Sequence, residues 1–277
     1  FFSAVPQRGD VVFYDEYIHA SIRDGIKMGN AKSYKFKHND LENLRSHLKR
    51  SREVSPKSEI YVVTESVFSM DGDSPNLATM AQIIKDHDAY FIVDEAHAIG
   101  VYGKYGVGLI QKLNLENHVF ARIITFGKAI GCHGAAILGS KNLKHYLVNF
   151  SRSLIYTTAM PPHSLATIHS AYRALVTKHS RSQKLHQNIK YFKVEVEKLN
   201  LKNQFIESNS TIQCCVISGN DKVKLIANKL KKSGFNVKPI LSPTVPKGKE
   251  RLRFCLHSYN SEKQITEVLQ LLSTFVN

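Results

Sequence analysis

Phe91-Ile92-Val93-Asp94-Glu95-Ala96-His97 and, further along the chain, Ile123-Ile124-Thr125-Phe126-Gly127-Lys128 decide the fold. Each is a short apolar run that breaks off into chemically distinct residues. An acid pair and a histidine follow the first, and a glycine-flanked lysine follows the second. Upstream, Ile60-Tyr61-Val62-Val63-Thr64 is a strongly β-branched run, and Val11-Val12-Phe13 reads as another strand. Amphipathic stretches alternate with these runs. Ser21 to Met28 starts a helix, Asp40 to Lys49 carries Leu41, Leu44 and Leu48 at helical spacing, and Leu77 to Asp86 reads as a helix. Strands over Ala89 to Val93, Ile123 to Thr125 and Gly134 to Leu138 complete the core set. Short apolar strands alternating with helices predict an α/β fold on a mostly parallel sheet with crossover helices.

Pro161-Pro162 marks a break, followed by a long helical region from His163 to Leu199 that is expected to fray near Lys178 to Ser182. Beyond it, strands at Gln213 to Ile217 and Leu252 to Leu256 alternate with helices over Val223 to Lys232 and Glu262 to Phe275. The expected division is a major domain over residues 1–165, then a connecting helix and a smaller C-terminal α+β domain over 166–277. There is no internal repeat or low-complexity tract.

Hydrophobic content of 43% and charged content of 22% are those of an ordinary soluble globular chain. No apolar run approaches a membrane span, and Phe1-Phe2-Ser3-Ala4-Val5-Pro6 lacks the basic flank and apolar core of a signal peptide. No membrane partner and a cytoplasmic location are therefore expected. Cys132, Cys214, Cys215 and Cys255 show neither metal-ligand spacing nor a secreted framework, so reduced thiols and no metal are expected. Met70-Asp71-Gly72-Asp73 hints at a calcium loop but lacks the closing glutamate; it is good turn chemistry. Thirty-eight Lys and Arg against 23 Asp and Glu leave +15. These basic residues are spread through helical segments, without exposed aromatics between them or a nucleic-acid-binding motif. Attraction of an acidic, phosphate-bearing substrate uses the same field.

An acid at one strand end, a histidine three residues on, and a lysine after the next strand point to pyridoxal phosphate. That cofactor needs a lysine to hold its aldehyde and an acid to keep its pyridine nitrogen protonated. Read singly, the same residues have plainer roles: Asp94 caps a helix, His97 is a satisfied core histidine, and Lys128 is a solvated loop residue. Their order along the chain favours the cofactor.

Asp15-Glu16-Tyr17-Ile18-His19-Ala20-Ser21, Val67-Phe68-Ser69-Met70-Asp71-Gly72-Asp73, Asp94-Glu95-Ala96-His97 and Thr125-Phe126-Gly127-Lys128 occur in that order. Together they resemble the α-oxoamine synthases, fold-type I pyridoxal phosphate enzymes that join an amino acid to an acyl thioester with loss of carbon dioxide. The resemblance covers essentially the whole chain. It implies that Lys128 is the Schiff-base lysine and then the base at the substrate Cα, helped by apolar and glycine surroundings that favour a lowered pKa. By the same resemblance Asp94 is the pyridinium partner, His97 lies beside the phenolic oxygen, and His19 stacks on the ring. Ser69 is a polar contact in the pocket, and Thr125 a hydroxyl donor to the phosphate.

Tyr156-Thr157-Thr158-Ala159-Met160-Pro161-Pro162 resembles the segment that reaches the phosphate of a neighbouring subunit's cofactor, which implies a homodimer with a shared site. Its plainer reading is a helix-entry loop. Pro243-Thr244-Val245-Pro246 through Arg253 resembles the substrate segment, Arg253 gripping the amino acid carboxylate with a planar fork. Otherwise Arg253 is a surface ion-pair residue at a strand start. Two departures from the family stand out: Gly106-Val107-Gly108 in place of Gly-Arg-Gly, and Leu241-Ser242 before Pro243. The resemblance also places a phosphate-binding helix N-terminus ahead of the position matching Phe1. Residues 1–277 alone are thus expected to bind the cofactor weakly and not to turn over.

Overall fold

The predicted strands line up side by side in a computed structural model that describes residues 1–177 and 180–276. Two units result: Phe1–Val67 with Ser74–Thr177, and Phe68–Asp73 with Lys178–Asn277. The first runs β1 (Val11–Asp15), α1 (Ala20–Lys27), β2 (Lys32–Phe36), α2 (Leu41–Val54), β3 (Ile60–Glu65), α3 (Leu77–Asp86), β4 (Tyr90–Asp94) and α4 (Leu109–Lys112). It continues through β5 (Ala121–Thr125), β6 (Ala135–Gly139), α5 (Lys141–Phe150), α6 (Arg152–Ile155) and α7 (Pro162–Thr177). The sheet order is β2-β1-β3-β4-β5-β6, parallel throughout except that β6 runs antiparallel to β5.

Strand residues alternate between two apolar layers, as the two-residue period of a strand requires. Val62, Phe91 and Val93 pack with Leu44, Leu48, Met80 and Ile84 of α2 and α3. Tyr61, Val63 and Ile92 pack on the other side with Ile22, Ile26, Leu143 and Leu147 of α1 and α5. A sheet buried on both faces needs no polar alternation, which is why these strands read as continuous apolar runs.

The sequence reading missed β2, α4, α5 and α6 and put β6 in the wrong place. β2 exposes every residue before Phe36, and its polar composition is that of an edge strand. α5 was not anticipated. β6, expected in the core, is an edge strand with a mostly exposed burial pattern. The long helix expected from His163 to Leu199 is two, α7 and then α8 (Ser180–Lys198). Of the expected fraying segment, Lys178 and His179 lie outside the described residues, while Ser180 to Ser182 open α8. α7 belongs with the first unit because Ile168, Ala171, Tyr172 and Leu175 pack with Ile124, Phe126 and Ile130.

The second unit adds β7 (Ile212–Val216), α9 (Asn220–Lys232), β8 (Lys238–Ile240), β9 (Arg251–Cys255) and α10 (Glu262–Val276), with an antiparallel sheet in the order β7-β9-β8. This is the expected α+β arrangement, with the short β8 unforeseen. The Phe68–Asp73 turn belongs to this unit. Arg251 pairs with Asp71 and donates to the Met70 carbonyl, and Cys214 Sγ reaches the same oxygen at 3.1 Å. A Cβ on Gly72 (φ +78°) would lie 2.2 Å from the Ile212 carbonyl oxygen, so this turn accepts only glycine.

Candidate active site

The carboxyl ends of β3, β4 and β5 carry Glu65, Asp94 and Thr125. In open α/β sheets this edge is where ligands bind. Alternation along each strand turns these three residues to the side occupied by α1 and α5, since Glu65 follows Tyr61 and Val63 in phase and Asp94 follows Ile92. Glu65 and Asp94 are register partners, and Asp94 is in turn the partner of Ile123.

Asp94 is buried, and its Oδ1 accepts the Ala96 N–H at 2.8 Å. It caps a turn, not a helix: residues 96–101 are turn. His97 sits in that turn, half-buried. Burial raises the Asp94 carboxyl above its usual range, while the Ala96 amide, Lys128 and His19 pull it back. Beside it, burial and then the Asp94 charge push the Glu65 carboxyl up to about 8, against the pull of Lys128 and of the His19 backbone amide. His19 is the N-cap of α1; its Nδ1 accepts the Ser21 N–H at 3.2 Å and lies 2.8 Å from the Ser21 hydroxyl.

Lys128 crests a tight loop. Cys132 N donates to the Phe126 carbonyl at 2.7 Å and Gly131 N to the Lys128 carbonyl at 2.9 Å, while Phe126 and Ile130 anchor the loop in apolar contacts. Gly127, Lys128 and Ala129 are exposed, so the apolar surroundings expected for the lysine are not met within this chain. Thr125 Oγ1, in contrast, is buried with no hydrogen-bond partner.

The loop is braced from below by Glu95, whose side chain is fully buried. Its Oε2 accepts Arg122 Nε at 2.6 Å and its Oε1 the Ile110 N–H at 3.0 Å, while Arg122 Nη2 donates to the Val107 carbonyl at 2.6 Å. Gly100, at φ +80°, lies where a Cβ would meet Ala129 Cβ at 2.6 Å, so the braced segment presses on the residue after Lys128.

The structure therefore gathers Lys128, Asp94, His19 and Thr125 at the edge of the first unit and adds Glu65, which the sequence reading missed. That reading ended the strand at Thr64, one residue short of an acid that closes an apolar run just as Asp94 does. Thr157 and Thr158 follow α6 in the same unit and are exposed, the Thr157 hydroxyl donating to the Ser153 carbonyl. Ser69, Thr244 and Arg253 belong to the second unit. Arg253 lies inside β9 rather than at its start; its Nη1 donates to the Ser69 carbonyl at 2.9 Å, and its Nε is buried without a partner. Thr244 is exposed in the loop between β8 and β9.

A family model described as aminotransferase class I and II matches residues 1–272. An 8-amino-7-oxononanoate synthase of Emericella nidulans is 37% identical over 99% of this chain and 70% of its own length. Its counterpart in Saccharophagus degradans is 38% identical over 96% and 66%. The chain spans 65% to 70% of the length of such relatives. Among solved structures, a serine palmitoyltransferase from S. paucimobilis with bound PLP–myriocin aldimine superposes with a TM-score of 0.91 at 28% identity, over 99% of this chain and 68% of that one. An 8-amino-7-oxononanoate synthase from Francisella tularensis gives 0.84 at 31% identity, over 99% and 77%.

Proposed function

Since the chain belongs to the class I and II aminotransferase family, we propose that it carries the catalytic residues of a pyridoxal-phosphate-dependent 8-amino-7-oxononanoate synthase of biotin biosynthesis. The reaction condenses L-alanine with a pimeloyl thioester, of coenzyme A or of an acyl-carrier protein, releasing the thiol and carbon dioxide. One observation carries the reading. A buried carboxylate, an exposed lysine amine and a buried, unpartnered hydroxyl meet at the ends of adjacent parallel strands. That donor set fits the cofactor: Asp94 suits the ring nitrogen, Lys128 the aldehyde and Thr125 the phosphate. When bound, the cofactor supplies an electron sink for charge developing at the substrate Cα.

The protein's own groups do the rest. Lys128 takes the proton from the alanine Cα, and that carbon attacks the thioester carbonyl as the thiol leaves. The carboxylate then departs as carbon dioxide, and Lys128 returns a proton to the same carbon. Asp94, ionised, would hold the proton on the ring nitrogen. His19 would bind the cofactor ring, and His97 and Ser69 its polar atoms. Arg253 binds the substrate carboxylate, to which its unpartnered Nε is suited, and Thr244 lies on the substrate segment.

The proposed division is a cofactor-binding major domain over residues 1–165, then a connecting helix and a smaller C-terminal domain over 166–277. Two copies assemble as a homodimer, Thr157 and Thr158 reaching the neighbour's cofactor phosphate. Exposed Val148, Phe150, Leu154, Ile155, Tyr156 and Leu165, on and beside α5 to α7, form an apolar surface suited to such a partner. No helix among the described residues is long and apolar enough to cross a membrane, and we place the enzyme in the cytoplasm, with neither membrane nor nucleic acid as partner.

The likeness to serine palmitoyltransferase keeps sibling reactions in view: L-serine with a palmitoyl thioester, or glycine with an acetyl or succinyl thioester. The full natural chain, loaded with pyridoxal phosphate, should be offered L-alanine, L-serine and glycine against pimeloyl, palmitoyl, acetyl and succinyl thioesters. Thiol release and product mass are read for each pair. Product from L-alanine and the pimeloyl donor alone is expected. Turnover only with another pair replaces this reading by that sibling, and none with any pair removes it.

A further inference from the structure

A buried carboxyl that the reaction above does not use stands beside Asp94. Glu65 and Asp94 are register partners on adjacent parallel strands and point to the same side of the sheet. Neighbouring strands lie roughly 4.8 Å apart, and like charges on buried, paired side chains oppose each other's ionisation. The surrounding groups favour the charge on one of the two. Asp94 accepts the Ala96 N–H and lies within the field of Lys128. Glu65 has only the His19 amide and Lys128 to favour its charge, and its Oε1 is buried with no partner. A charged oxygen left bare is costlier than a neutral one.

We propose that Glu65 is a positioning residue of this site: it holds the proton of the Glu65–Asp94 pair, leaving the negative charge to Asp94 beside Lys128. The groups facing it are Asp94 on β4, Lys128 after β5, Asp15 on β1 and the His19 amide at the start of α1. Only Lys128 and the amide favour its ionisation; burial and the two acids oppose it. The role toward the cofactor rests on the function proposed above, whereas the retained proton does not.

Unfolding midpoints of the parent and of Glu65→Gln, measured from about pH 5 to pH 9, test the proton. A carboxyl whose folded pKa is raised from 4.5 to about 8 stabilises the fold fully below the lower value and loses that contribution as pH climbs to the upper one. Glutamine undergoes no such loss. The midpoint of Glu65→Gln is expected to gain on the parent steadily up to about pH 8 and then to level off. A gap that stays constant across this window overturns the retained proton.

Absorbance titration with pyridoxal phosphate at pH 7 tests the same proton at the site. Glutamine is the neutral counterpart of a protonated Glu65, so Glu65→Gln should bind within about threefold of the parent. A loss of more than about tenfold means that a charge on Glu65 was needed and overturns the retained proton. A parent that binds no pyridoxal phosphate overturns the proposed function and this role toward the cofactor together, while the pH series still judges the proton.

Discussion

Two buried polar clusters, one in each unit, use similar groups and are finished differently. In the second unit Ser208, Ser210 and Gln213 close on one another. Ser208 Oγ lies 2.7 Å from the Gly72 carbonyl and 2.9 Å from Ser210 Oγ, Ser210 Oγ accepts the Ile212 N–H at 3.1 Å, and Gln213 Nε2 donates to the Ser210 carbonyl at 2.8 Å. None of these side-chain atoms is left buried without a partner. At the ends of β3 to β5, Glu65 Oε1 and Thr125 Oγ1 are both buried and bare. Buried polar groups in native proteins are ordinarily paired, so a saturated cluster is spending its hydrogen bonds on the fold, and a bare one asks for another reason, which at Thr125 is the proposed cofactor phosphate and at Glu65 the retained proton.

Substitutions can break that contrast or sharpen it. The largest effect is expected from Lys128→Ala, which should abolish turnover and the yellow absorbance of the cofactor-loaded protein. Lys128 is exposed, so the fold should stay intact. Turnover at the parent rate would remove Lys128 from the site. Asp94→Asn should still bind cofactor but lower kcat by about a thousandfold, since a neutral amide cannot hold the ring nitrogen protonated. An unchanged kcat would make Asp94 a structural cap only.

Arg122→Met strands the buried Glu95 carboxylate and should cost about 3–5 kcal/mol in denaturant unfolding. The double replacement Glu95→Leu with Arg122→Met should recover much of that loss. If the double variant is no better than the single, the brace works by shape and not by charge. The smallest change is Ser208→Ala, expected to cost about 1–3 kcal/mol and to leave cofactor affinity as it was. A loss of cofactor affinity there would end the distinction between a saturated structural cluster and a bare binding one.

Much of this was legible in the chain. Strands buried on both faces announced themselves as apolar runs, and the acid and lysine that end two of them pointed to the cofactor chemistry before any comparison did. The likeness to α-oxoamine synthases drawn from four motifs is borne out by relatives named 8-amino-7-oxononanoate synthase. Edge elements were harder. β2 and β8 are short and hide little from water, so nothing in Lys32-Ser33-Tyr34-Lys35-Phe36 or Lys238-Pro239-Ile240 sets them apart from loop. β6 misled in the other direction, because Ala135-Ala136-Ile137-Leu138 is apolar and yet mostly exposed.

By itself the sequence determined the alternation of strand and helix, the α/β class and the residue types at the strand ends, because periodicity and turn chemistry are local. Only the tertiary structure decided that Glu65 shares a register with Asp94, that Glu95 is consumed by Arg122 rather than offered to a ligand, and that Arg253 leans on the Ser69 carbonyl. Adjacent acids in a sequence look alike. Asp94 and Glu95 part company because successive strand-end residues face opposite ways, one toward Lys128 and the other toward the half-buried Arg122 guanidinium. Which neighbour each one meets depends on strand order and register, which arise from contacts between residues far apart in the chain.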